Sequence, residues 1–97
     1  MFNIKITDLA RDQLKKLKQD KSLAKKYNKV IKTIKLLSEN PKHPVLHAHR
    51  FLSLKGPNGE KIFEAYVDQD TPNAYRLFWC YGPDKEDITI IAIVPHP

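Results

Sequence analysis

Three apolar runs of strand length, Ile62 to Val67, Tyr75 to Tyr81 and Ile88 to Val94, constrain this chain more than any other feature. They are rich in β-branched and aromatic residues. Turn-forming stretches, Asp68 to Asn73 and Gly82 to Asp84, separate them, so they predict a sheet meander. Arg76 sits inside the middle run. A guanidinium keeps its proton and is costly to bury alone, so in such a strand it must face a partner, a phosphate or water.

The remainder of the chain supplies what covers the sheet. Phe2 to Ile6 alternates apolar and polar residues, the pattern of a half-buried strand. Thr7 or Asp8 can cap a short amphipathic helix marked by Leu9, Leu14 and Leu17 and ending near Asp20. Ser22 is the expected cap of a second helix, in which Leu23, Tyr27, Val30, Ile31, Ile34 and Leu37 fall on one stripe. Asn40-Pro41 closes it, because the residue before proline is pushed out of helical geometry. Pro41 to Pro44 then forms a stiff connector, Leu46 to Leu54 reads as a strand, and Lys55 to Glu60 as a hairpin loop. The order β-α-α-β-β-β-β predicts one α+β domain over residues 1–97. Its N-terminal strand joins a curved, mainly antiparallel sheet, and a helical hairpin packs on one face while the other stays open.

Charge is distributed unevenly. The first 55 residues hold 14 Lys and Arg against 4 Asp and Glu, and the remaining 42 hold 3 against 7. Lys25, Lys29 and Lys32 form a row along the second helix. A solvated face accounts for such a row, and so does a surface for a polyanion: nucleic acid, an acidic protein or an anionic membrane. The single Cys80 leaves no internal disulfide and reads as a buried, reduced thiol in a cytoplasmic protein. Residues 1–5 lack the apolar stretch of a signal peptide, and no run reaches membrane-spanning length. His43, His47 and His49 cluster, with His47 and His49 expected on one strand face. No third ligand is fixed by spacing, so no metal site is expected.

Strand alternation sorts the side chains into two sets. Tyr75, Leu77, Trp79 and Tyr81 are expected beneath the helices, and Arg76, Phe78 and Cys80 on the open face. Phe63, Ala65 and Val67 are likewise expected inside, with Ile62, Glu64 and Tyr66 outside. Glu64, Tyr66 and Arg76 can then share one surface. A cross-strand Glu–Arg pair beside a tyrosine is also ordinary sheet stabilisation, a fraction of a kcal/mol if exposed. His96, between two prolines after the last strand, leaves the sheet at an end where it can face what Arg76 faces.

The element order and several local motifs resemble the RelE/ParE superfamily of small bacterial toxins. The matching residues are Leu52-Ser53-Leu54-Lys55-Gly56, Phe63-Glu64-Ala65-Tyr66-Val67, Tyr75-Arg76-Leu77-Phe78-Trp79 and the closing strand into Pro95-His96-Pro97. The resemblance covers nearly the whole chain. It implies the toxin of a type II toxin–antitoxin system: a metal-independent, ribosome-dependent endonuclease that cuts messenger RNA and inhibits translation. In that chemistry a ribose 2′-hydroxyl attacks its own 3′-phosphate. The resemblance puts Arg76 on the phosphate, His96 as acid or base and Glu64 as a possible base. His49, Arg50 and Lys55 would hold RNA backbone, Tyr66 would stack on a base, and Lys25, Lys29 and Lys32 would add sequence-blind affinity for ribosomal RNA. No cofactor and no membrane are implied. The partners implied are a cognate antitoxin, the ribosome and messenger RNA.

Some positions depart from the superfamily's patterns. Glu64 and Tyr66 stand where the lysine-dependent ribonucleases carry basic residues, and Tyr66 breaks the Glu-x-Arg pattern found elsewhere. The sequence ends at Pro97, so no catalytic tail is expected beyond the histidine. Two alternatives therefore stand beside the endonuclease: a ParE-like inhibitor of DNA gyrase, and a toxin-fold binding protein without catalysis.

Overall fold

Five strands and two helices account for most of the chain in a computed structural model that describes residues 1–68 and 73–95. In order they are β1 (Asn3–Ile6), α1 (Asp8–Gln19), α2 (Ala24–Glu39), β2 (His49–Lys55), β3 (Lys61–Tyr66), β4 (Tyr75–Tyr81) and β5 (Asp87–Pro95). The sheet runs β1-β5-β4-β3-β2. β2 to β5 form the expected antiparallel meander, and β1 lies parallel to β5, pairing Ile4 with Ile88 and Ile6 with Ile90. The first strand and the last therefore close the fold together. The α+β architecture and its strand order agree with the sequence.

Thr7 ties α1 to the sheet. Its hydroxyl oxygen accepts the Ala10 N–H (3.1 Å) as an N-cap and donates to the Ile91 carbonyl (2.8 Å). One turn further on, the Gln13 side-chain oxygen accepts the Ile93 N–H at 2.7 Å. β1 ends at Ile6 opposite Ile90, so this edge of β5 has no strand partner at Ile93, and β5 also bulges. Phe78 pairs with Ala92 but Trp79 with Ile90, which leaves Ile91 as an extra residue. The bulge also shifts the phase of burial. Ile88 and Ile90 point under the helices, and so does Ile93 rather than Ala92.

The main core lies between the helices and the sheet, built on Val30, Leu37, Leu77, Trp79 and the β5 isoleucines. As expected, Phe63, Ala65 and Val67 pack toward it. The helical stripes were drawn slightly off axis from sequence. Leu9 is 56% exposed and Ile31 40%, whereas Ala10 and Thr33 turn inward. Thr33 is tolerated because its hydroxyl donates to the Lys29 carbonyl (2.8 Å). The cap before α2 also differs. Asp20, not Ser22, does the capping: its carboxylate accepts both the backbone N–H and the hydroxyl of Ser22, inside a 3-10 turn over Lys21–Leu23.

Two further expectations are corrected. The strand predicted from Leu46 begins only at His49. Pro44–Leu46 is a 3-10 turn capped by His43, whose Nδ1 accepts the Val45 N–H (3.1 Å), and His47 sits in the left-handed region (φ 46°). A left-handed residue breaks extended backbone, so His47 and His49 do not share a strand face. The sheet's second face is not open either. Ile62, Phe78 and Cys80 are buried there beneath Phe51, which meets Phe78 edge-on at 5.0 Å. Register slips between Arg50 and Lys55, so β2 is irregular where Phe51 turns onto this second, smaller core. Burial first, then the Glu60 charge, pushes the Cys80 thiol up from its ordinary value.

Candidate functional site

Arg76 reaches the second face through β4 geometry. It pairs with Tyr66 across β3, and Phe78 pairs with Glu64, so alternation puts all four on the side away from the helices. From there the guanidinium crosses diagonally to Glu64, with Nη1 donating to Oε2 at 2.5 Å. β2 brings the third member. His49 pairs with Glu64 in the β2–β3 register, and its Nε2 meets Glu64 Oε1 at 2.8 Å. One carboxylate thus holds an arginine on one oxygen and an imidazole on the other.

Glu64 is buried (side chain 4% exposed), Arg76 nearly so (17%), and His49 is the exposed member (47%). Aromatic rings surround the guanidinium: its central carbon lies 4.8 Å from the Phe78 centroid and 5.8 Å from that of Phe51. Arg76 Nε is buried with no partner among the described residues. A buried carboxylate opposite a buried guanidinium in so little water is a strong local interaction with a large desolvation cost on both sides. His49 is held at its other nitrogen too, where Nδ1 lies 2.9 Å from the His47 carbonyl oxygen. Both contacts offer acceptors to the ring. Tyr66 stands edge-on to this imidazole, 5.6 Å between centroids.

The other predicted residues distribute as follows. Arg50 and Lys55 are exposed on β2, the edge strand next to this cluster. Lys25, Lys29 and Lys32 lie on α2, on the opposite face of the sheet from Arg76. All three are exposed, and Lys29 is also paired with Asp68 at 2.8 Å. Its neighbour Lys26 donates to the Asn73 carbonyl (3.2 Å) and lies over the Tyr75 ring. Part of the row thus fastens α2 to the β3–β4 end of the sheet. His96 lies outside the described residues. β5 carries the chain toward it, with Val94 paired to Arg76 and Pro95 to Tyr75.

The sequence predicts the Glu64–Arg76 pair but places His49 apart from it, on RNA backbone. That Arg76 and His49 share one carboxylate depends on the register of two strand pairs, and the irregular β2 conceals that register in the sequence.

No protein-family model and no curated protein matches the chain by sequence. Solved structures do match it by shape. A YoeB/ParE toxin from Agrobacterium tumefaciens superposes with a TM-score of 0.71 at 13% identity, covering 100% of both chains. YoeB from Staphylococcus aureus, solved as a dimer, gives 0.68 at 18%, covering 99% of this chain and 98% of that one. An archaeal RelE from Pyrococcus horikoshii, in complex with RelB, gives 0.64 at 16%, covering 97% and 93%. The chain therefore has the fold of these YoeB, ParE and RelE toxins over essentially its full length. At these identities the likeness establishes the fold.

Proposed function

We propose that this chain is the toxin of a toxin–antitoxin pair and that it cleaves messenger RNA on the ribosome. The observation carrying this reading is the placement of Arg76 on the face away from the helices, with Glu64 and the exposed His49 in contact range. In the proposed reaction a 2′-hydroxyl loses its proton to a base as its oxygen bonds to phosphorus. The bond from phosphorus to the 5′-oxygen breaks, and that oxygen takes a proton from an acid, leaving a 2′,3′-cyclic phosphate and a 5′-hydroxyl. Arg76 offers permanent charge and paired donors to the crowded phosphate. Glu64 is buried with both oxygens engaged, so it suits holding Arg76 and His49 better than meeting a substrate hydroxyl. The proton transfers then fall to His49, engaged at both nitrogens but exposed, and to His96, imidazoles whose ordinary range spans neutrality. Arg50 and Lys55 on the exposed edge suit RNA phosphates.

The antitoxin belongs to the same proposal. The archaeal RelE was solved with RelB, and an acidic, partly disordered segment would complement the basic N-terminal half of this chain.

One observation favours a second reading, binding without catalysis. The guanidinium is already neutralised by Glu64 and largely enclosed, so a phosphate must displace or share that carboxylate. Primer extension on a translated message separates the two. Discrete ribosome-dependent cuts that Arg76→Ala abolishes are the expected result. An intact message, with the protein still binding an antitoxin, would leave the binding role.

A further inference from the structure

A cavity of about 400 Å³ opens beside His49, between the Pro41–His49 connector and the end of the sheet. Its floor is aromatic. Phe63 and Trp79 stack with centroids 4.9 Å apart and planes 23° from parallel, and Tyr81 packs edge-on to them at 5.6 and 5.0 Å. His43, His47 and His49 line the opposite wall, with Lys42 beside them.

Two features fix what such a cavity would take. The first is its donors. His43 Nδ1 accepts the Val45 N–H, so in the neutral ring the proton sits on Nε2, which becomes a donor. Trp79 is 1% exposed and its indole N–H is sealed from solvent, so the rings of the floor that a ligand can meet are those of Phe63 and Tyr81. The second is shape: packed rings facing a proline-stiffened wall suit a flat ring better than a branched chain. A planar heterocycle whose edge carries carbonyl oxygens and ring nitrogens satisfies both.

We propose that this cavity is a nucleobase subsite. A base stacks against the Phe63 and Tyr81 rings of the floor and accepts a hydrogen bond from the His43 imidazole. His49 is common to this cavity and to the Glu64–Arg76 pair, so the bound nucleotide's phosphate would lie toward the basic edge at His49 and Arg50. The choice of a nucleotide rests on the reading that RNA is the target; the cavity and its donors stand apart from any cleavage.

Trp79 is the single tryptophan of the chain, so its fluorescence reports on this cavity directly. The intact protein would be titrated with uridine and adenosine 5′-monophosphates, and separately with ribose 5-phosphate and inorganic phosphate. A saturable change with at least one nucleotide and none with the base-free compounds is expected. His43→Asn keeps a side-chain oxygen for the Val45 N–H but removes the imidazole donor, and should weaken binding about tenfold, the weight of one hydrogen bond. Phe63→Leu should weaken it similarly through lost stacking, with unchanged circular dichroism confirming a folded protein. Equal responses to ribose 5-phosphate, no response to any nucleotide, or native affinity in both folded variants would overturn the subsite. Failure of this proposal is separable from failure of the ribonuclease reading. Message cleavage without nucleotide binding removes only the subsite, and nucleotide binding without cleavage removes only the enzyme.

Discussion

The two faces of the sheet are built on different physics. Beneath the helices lies an apolar core in which Leu77, Trp79, Ile88 and Ile90 are almost fully buried. On the other face a smaller core of Ile62, Phe78 and Cys80 is accompanied by a glutamate that holds an arginine on one oxygen and a histidine on the other. Burial of apolar surface stabilises the first face, by about 1.5–3 kcal/mol for each large side chain. The second is expensive: a buried ion pair recovers its desolvation cost only with good geometry, and apolar residues in its place are often as stable or more so. A chain selected for stability alone has little reason to keep Glu64 and Arg76 there. Under the proposed function it is this second face that carries the chemistry, in keeping with the tendency of costly ionic groups to concentrate at sites of chemistry or recognition.

Substitutions can break that contrast or sharpen it. Leu77→Ala on the helix side should produce the largest loss of stability, about 3 kcal/mol and up to about 5 if the gap does not collapse; urea unfolding measures it. Glu64→Ala should cost about 2 kcal/mol. That is less than the roughly 3–5 expected for a fully buried pair, because Arg76 keeps some contact with water. The pair replaced together, Glu64→Leu with Arg76→Met, should return close to native stability while losing message cleavage. If the double variant unfolds as readily as Glu64→Ala, the pair is structural and the distinction between the faces fails. Smallest of all, Lys29→Ala should cost well under about 1 kcal/mol, and the loss should fade as salt is raised, because the bridge to Asp68 is half exposed. A larger, salt-independent loss would mean that α2 depends on this bridge rather than on its apolar side.

Much of the architecture is legible in the sequence. Alternation in β3 and β4 sorted Phe63, Ala65, Leu77 and Trp79 from Glu64, Arg76 and Phe78, and the structure keeps that division. Thr7 as a cap and Asn40-Pro41 as a stop were visible because capping and proline chemistry act over a few residues. Errors arose where one residue changes phase. The left-handed His47 delays β2 to His49, and the extra residue at Ile91 turns Ile93 inward in place of Ala92. The site was half visible. Its residues were named, but that Glu64 serves both Arg76 and His49, and that Lys29 is engaged by Asp68, required partners 12 to 39 residues away.

By itself the sequence determined which segments become strands and helices, which side of each is apolar and that one end of the chain is basic, because those properties follow from neighbouring residues and a fixed period. Only the tertiary structure decided the rest. The second face closes over its arginine, the carboxylate beside that arginine is shared with His49, and an aromatic cavity forms under the Pro41–His49 connector. Each of these depends on how separate strands align, and no local preference encodes that alignment.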